Sequence, residues 1–321
     1  MRASLILLSC ALFTPFAGAD TSNSLIDLAP DGKTLLVVNR DNGTVTVVDV
    51  ASRKPLREIA VGEHPEGVSW IGAGPLALVT VYDDDRLAFI DTESGTVIAQ
   101  LKVENEPYGV VTTKDGQRAY VSHDYPGLVS EIEVPNRQVL RTIKSGEWTR
   151  GIAIDHTEKM LYVSDFYSAK LHAISLEAGK RVDTWEGHET QHLARHVALH
   201  PSRPKAYLSH IVSRVTHVDG RGSIFPEVTV CDLDRKPDRK RRRSFAMDTY
   251  NGVYVTANPW ETTLTPDGKK IFTVYAGTND VNVSKVIDDD YSEMERIGLP
   301  FKVGKNPRAI RVSPDGKEFY I

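Results

Sequence analysis

Four histidines recur at four-residue spacing in one stretch: His188, His192, His196 and His200. On a helix, residues four apart share a face, and imidazoles so placed can hold a metal ion. The first pair also spells His188-Glu189-Thr190-Gln191-His192, the letters of a zinc-protease motif. That motif works only when a helix brings both rings to one ion. The surrounding pattern is one of strands and turns: residues 195–199 read as a strand and 188–192 as the turn before it. Alternate residues of a strand share a face but stand too far apart to chelate one ion together. The expectation is therefore a polar cluster without a metal. Arg195, His196, His210, Arg214 and His217 are the candidates for a ligand or interface site lining a channel or loop face. No catalytic set is assigned.

Other stretches carry weaker signals. Residues 211–226 read as an insertion, rich in Gly and Arg, and long loops on a rigid scaffold often bind partners. Residues 247–260 form a similar break with three aromatic residues. The basic run Arg239-Lys240-Arg241-Arg242-Arg243 reads either as a solvated turn balanced by Asp232, Asp234 and Asp238 or as a dock for an acidic partner. Asp83-Asp84-Asp85 and Asp288-Asp289-Asp290 lack the spaced ligands and closing Glu of a calcium loop, and read as hairpin turns. There is no nucleophile elbow, phosphate loop, dinucleotide fingerprint or Cys-x-x-Cys-His haem attachment.

The elements that must position these residues come from a repeat. Glu66-Gly67-Val68, Tyr108-Gly109-Val110 and Arg150-Gly151-Ile152 stand 42 residues apart. A Pro-Asp-Gly-Lys turn appears at Pro30, Pro266 and Pro314, with a degenerate copy at Lys114-Asp115-Gly116-Gln117. A fixed period of about 40 residues built from short apolar runs is the mark of a β-propeller. Each unit reads as four strands. In the first these are residues 25–28, 34–38, 44–48 and 56–61, with Asn42-Gly43 as a hairpin turn. The fifth unit departs from the period, and a seventh begins at 309–312 and 318–321. The expected fold is all-β: a propeller of four-stranded blades, seven-bladed in its complete form, with six blades and the start of a truncated seventh present.

Residues 1–19 read as an export signal: Arg2, an apolar run from Leu5 to Phe16, and Ala17-Gly18-Ala19 before a cleavage site at Asp20. The run is too short and too broken by Pro15 to span a membrane. Leu7-Leu8-Ser9-Cys10 resembles a lipobox, but Cys10 lies early and apolar residues continue past it, so ordinary cleavage is expected over lipid anchoring. The propeller then occupies 20–321, in the periplasm or cell envelope. The formal net charge of −4 over 321 residues argues against a nucleic-acid partner. Beyond the signal only Cys231 remains, so no internal disulfide stabilises the domain.

The blades resemble the YVTN family of propeller repeats. Pro30-Asp31-Gly32-Lys33 with Leu36-Val37-Val38-Asn39, Val45-Thr46-Val47-Val48-Asp49 and Leu161-Tyr162-Val163-Ser164 carry that resemblance. A narrower one rests on residues 194–201, Gly222-Ser223-Ile224-Phe225-Pro226, Met247-Asp248-Thr249-Tyr250-Asn251-Gly252 and Val303-Gly304-Lys305-Asn306-Pro307-Arg308. These are similar to exported bacterial propellers fused to a C-terminal domain like di-haem cytochrome c peroxidase. The resemblance implies a non-catalytic binding or scaffold half of a periplasmic electron-transfer protein. Haem c and any oxidoreductase activity would then lie beyond Ile321, and a cytochrome domain or periplasmic redox protein would be the partner. Two other readings fit the repeat alone: a self-contained envelope propeller that binds a ligand, and a metal-dependent hydrolase or lactonase.

Overall fold

The computed structural model describes residues 21–22, 24–215, 222–234, 242–247, 255–287 and 293–321. The signal segment 1–19, most of the basic run, His217 and the Asp288–Asp290 turn lie outside the described residues.

Within them the chain forms six antiparallel sheets of four or five strands and one two-stranded sheet. The first is built from Ile26–Leu28, Thr34–Asn39, Thr44–Asp49 and Lys54–Ala60. Its third strand is β-branched at every position from Thr44 to Val48, which suits a pleated surface with Val45 and Val47 buried on one face and Thr44, Thr46 and Val48 half-buried on the other. The second sheet runs from Pro65–Trp70 to Thr96–Lys102, and the third from Pro107–Thr112 to Gln138–Lys144. The fourth runs from Thr149–Ile154 to Lys180–Trp185, and Thr21–Ser22 adds a short strand on its inner edge, pairing with Ile154 and Ala153.

Apolar side chains on both faces of each sheet explain the stacking. Leu36, Val45, Val68 and Val79 join the first sheet to the second. Leu78, Leu87, Val110 and Val121 join the second to the third, and Val111, Tyr120, Ile152 and Leu161 the third to the fourth. Ala153, Trp185, Val197 and Leu208 continue to the fifth, and Tyr207, Val230, Ile271 and Tyr275 to the sixth. The two-stranded sheet, Arg311–Val312 with Phe319–Tyr320, then packs Ile310 on Phe272 and Val274, and Ala309 on Ile26 and Leu35. Clusters that lead from each sheet to the next and return to the first make this a β-propeller. Among the described residues no helix is long and apolar enough to cross a membrane.

The fifth sheet corrects the sequence expectation. Residues 211–215 and 222–226 are strand, not loop, and 216–221 lie outside the described residues. The two stretches prolong Lys205–Val215 and Gly222–Asp232 into a hairpin paired from Lys205↔Asp232 to Val215↔Gly222. Ile211, Val212 and Val215 supply the β-branched residues for the extension. The basic run also loses its end to structure. Arg242 and Arg243 start the outer strand Arg242–Ala246, and Arg242 donates to Gln191 Oε1 at 2.8 Å.

An ion-pair network ties the ring shut. Glu261, on the inner strand Pro259–Leu264 of the sixth sheet, accepts from Ser24 Oγ at 2.8 Å and from Arg311. Arg311 Nε also stands 3.7 Å from Asp27 Oδ1, and Asp27 Oδ2 accepts from the Trp70 backbone N at 3.0 Å. Glu261 is 2% exposed, and burial pushes its carboxyl up to about 7 against the pull of Arg311. One arginine thus bridges carboxylates on the first and sixth sheets.

Candidate functional site: the mouth of the central channel

The inner strands of successive sheets begin with a shared local device. His64, Glu106, Leu193, Asn258 and Asn306 all have positive φ, between 49° and 65°. Two residues later stand Glu66, Tyr108, Arg195, Trp260 and Arg308. In the second, third and sixth sheets the pairing register also shifts at this point. A left-handed residue followed by a bulge turns the chain sharply and re-aims the next side chain. Arg150 and Ser24 occupy the same register in the fourth and first sheets. The result is a ring at one end of the central channel: Ser24, Glu66, Tyr108, Arg150, Arg195, Trp260 and Arg308.

Two repeated features fix the backbone beneath that ring. The glycine after the ring residue allows close approach: a Cβ on Gly67 would stand 2.7 Å from Tyr108 O, and one on Gly151 would stand 2.8 Å from the His196 backbone carbon. A hydroxyl on the second strand then reaches the next sheet. Thr80 donates to Tyr108 O at 2.7 Å, Ser122 to Arg150 O at 2.7 Å, Ser164 to Ala194 O at 3.0 Å and Ser209 to Trp260 O at 3.2 Å. Thr80, Ser122 and Ser164 keep the 42-residue period.

The ring is cationic and aromatic. Arg40 bonds Glu66, whose carboxyl is pushed upward by burial and held back by that arginine. Arg150 binds Asp124 Oδ2 through Nε at 2.9 Å and Nη2 at 2.7 Å, and Tyr82 OH donates to the same oxygen at 3.1 Å. Burial opposes the Arg150 charge, but Asp124 together with Tyr108 and Tyr82 outweighs it and raises the pKa. The Arg150 guanidinium lies 3.7 Å from the Phe166 ring centre and 5.0 Å from that of Tyr108. Arg195 lies 5.1 Å from Phe166 and 4.2 Å from Trp260, and Arg308 lies 4.9 Å from Trp260. The Phe166 ring is thus shared by Arg150 and Arg195, and the Trp260 ring by Arg195 and Arg308. Desolvation of Arg195, with repulsion from Arg150 and Arg308, lowers its pKa to about 10.

The sequence-based candidates separate. Arg195 belongs to the ring. His196, the next residue, turns away between the sheets, with Nε2 at 3.4 Å from Glu261 Oε1. His210 is fully buried inside the fifth sheet, its Nε2 2.6 Å from Thr229 Oγ1, and burial lowers its pKa to about 3. Arg214 lies near the far end of the long hairpin strand, and His217 is outside the described residues. The four-spaced histidines also disperse. His188 Nδ1 meets Thr190 Oγ1, His192 Nδ1 meets Tyr167 O, and His200 Nε2 meets Gly268 O. His188–Thr190 leads through a turn into the short strand Gln191–His192, so the zinc-protease geometry is not formed. Among the described residues no three His, Cys, Asp or Glu side chains gather as a metal site.

Glu66, Tyr108, Arg150, Trp260 and Arg308 were missed as site residues. Their signal was present: each is the varying residue just before a repeated glycine, or before the residue in that glycine's place.

Comparison with known proteins supports the architecture. No family model matches the chain. A 152-residue stretch is 28% identical to the uncharacterized protein YncE of Salmonella typhi, covering 45% of this chain and 42% of that protein. YncE of Salmonella typhimurium matches to the same extent. The chain thus spans less than half the length of the curated relatives it matches. Among solved structures, a chain of Kuenenia stuttgartiensis hydrazine synthase superposes with a TM-score of 0.83 at 20% identity, over 98% of this chain and 95% of that one. The Myceliophteria thermophila Cps50 (Swd1) β-propeller domain gives 0.64 at 10% identity, over 91% and 90%.

Proposed function

We propose that this chain is an exported binding and scaffold propeller whose working surface is the channel mouth. One observation carries the reading. At a single register of a repeating scaffold seven positions carry Ser, Glu, Tyr, Trp and three Arg, while Gly67, Gly109 and Gly151 and the hydroxyls of Thr80, Ser122, Ser164 and Ser209 recur beneath them. A purely structural repeat gives no reason for Glu66, Tyr108, Arg150, Arg195, Trp260 and Arg308 to diverge at equivalent positions. Rigid scaffolds commonly present function through such variable positions.

In this reading residues 1–19 direct export and the propeller belongs to the YVTN type. The sheet of Arg311–Val312 and Phe319–Tyr320 is the inner part of a seventh blade, completed by sequence after Ile321. The partner is a c-type cytochrome domain following the propeller, with haem c held there. The likeness to a hydrazine synthase chain is in keeping with a propeller that serves an enzyme.

Expression of the gene with its natural downstream sequence, in a host that matures c-type cytochromes, tests this. The expected product begins at Asp20 and carries covalent haem. A product without haem removes the cytochrome partner and leaves a self-contained ligand-binding propeller.

A further inference from the structure

We propose that the channel mouth binds an oxyanion, the carboxylate or phosphate group of a small ligand, through the unpaired guanidinium groups of Arg195 and Arg308. The inference deepens the reading of the mouth as a binding surface and rests on it.

Charge pairing singles out these two residues. Four arginines stand at or beside the mouth. Arg40 is paired with Glu66 and Arg150 with Asp124. Arg195 and Arg308 have no carboxylate partner among the described residues. Arg195 Nη1 reaches only Asn258 Oδ1 at 3.4 Å and Leu193 O at 3.5 Å. Its Nε is buried with no hydrogen-bond partner among the described residues. Arg308 donates to the Asn306 side-chain oxygen, in the amide orientation that satisfies both, at 2.9 and 3.1 Å.

Both side chains are nevertheless held in place. Trp260 lies against both, and Phe166 against Arg195, which fixes the planes without neutralising the charge. A buried polar group without a partner is costly, and a charged one more so. The mouth therefore carries two guanidinium groups without a carboxylate partner among the described residues, set against the Trp260 and Phe166 rings. Guanidinium groups present donors in a fork that matches the two oxygens of a carboxylate or phosphate. The one carboxylate within the ring, Glu66, is engaged by Arg40 and sets the limit on how much negative charge the mouth accepts.

The full chain would be titrated separately with inorganic phosphate and with succinate at constant ionic strength, using calorimetry and tryptophan fluorescence. Saturable binding of either is expected, and the stronger of the two identifies the source of the oxyanion. Arg195→Gln and Arg308→Gln should each weaken it tenfold or more. Arg195→Lys should retain part of the affinity, and Arg57→Gln, on an exposed outer strand, should leave it unchanged. Thermal melts identify any variant that fails to fold, and Arg308→Gln keeps the test valid if Arg195→Gln does. The proposal is overturned if neither anion binds saturably, or if both glutamine variants bind as the parent does. Such a result removes the anion alone, because the wider reading is judged by haem content and export.

Discussion

The Arg195 guanidinium lies 4.2 Å from the centre of the Trp260 ring, across the boundary between the fifth and sixth sheets. The two residues are 65 positions apart, each two residues after a positive-φ residue, Leu193 and Asn258. Desolvated cation–π contacts contribute up to about 2 kcal/mol, and about 0.5–1 kcal/mol when exposed. A double-mutant cycle of Arg195→Gln with Trp260→Leu, followed by urea unfolding, should show coupling of about 0.5–2 kcal/mol. Strict additivity would mean the two side chains are neighbours without interaction.

His210 should make the protein acid-sensitive. Its ring is buried, and desolvation lowers its pKa from 6.5 to about 3. The unfolded chain takes up the proton near 6.5, and the folded chain resists it until about 3. This stabilisation is complete above pH 6.5 and is lost as pH falls through that window, at up to about 1.4 kcal/mol per pH unit. His123 and His172, each lowered to about 4 by burial, act in the same direction. Stability measured from pH 7 to pH 4 should fall less steeply in His210→Gln than in the parent. Parallel curves for the two proteins would refute the assignment.

Ring closure depends on Arg311. Its removal as Arg311→Ala leaves buried Glu261 and Asp27 without their shared cation, and should cost about 3–5 kcal/mol. Arg53→Ala breaks a pair with Glu318 whose side chains are 81% and 52% exposed, and should cost under about 1 kcal/mol. Denaturant midpoints at neutral pH compare them directly. Equal losses would contradict the closing role.

The scaffold beneath the mouth is sensitive to single atoms. Ser164 Oγ accepts from Gly151 N at 3.0 Å and donates to Ala194 O. Ser164→Ala should cost about 1–3 kcal/mol, because it leaves buried backbone groups unsatisfied. Gly151→Ala places a methyl group 2.8 Å from the His196 backbone carbon and should cost at least about 1–3 kcal/mol. Calorimetric melting of both variants checks this, and unchanged melting of Gly151→Ala would show that the sheets can separate freely.

Much of the fold was legible, and particular residues show where legibility ended. Gly67, Gly109 and Gly151 set the period, and the second, third and fourth sheets follow it strand by strand. The fifth was misread because a prolonged hairpin breaks the count. Residues 211–226 looked like an insertion, although Ile211, Val212 and Val215 are good strand formers. For the site, Arg195 was recognised, but His196 and His210 were grouped with it and face elsewhere. Neighbours on a strand point in opposite directions, and a one-residue error of register moves a side chain from the channel to the space between sheets. Arg150, Trp260 and Arg308 were visible as repeat positions but not as a group.

By itself, the sequence determined a chain of short, two-faced apolar strands at regular intervals, because period and composition are local and survive without coordinates. Only the tertiary structure decided which residues meet. Closing the ring sets Arg308 and Arg195 against one tryptophan and joins Asp27 to Glu261 through Arg311. Such meetings follow from the stacking of sheets distant in the chain, and no local pattern encodes them.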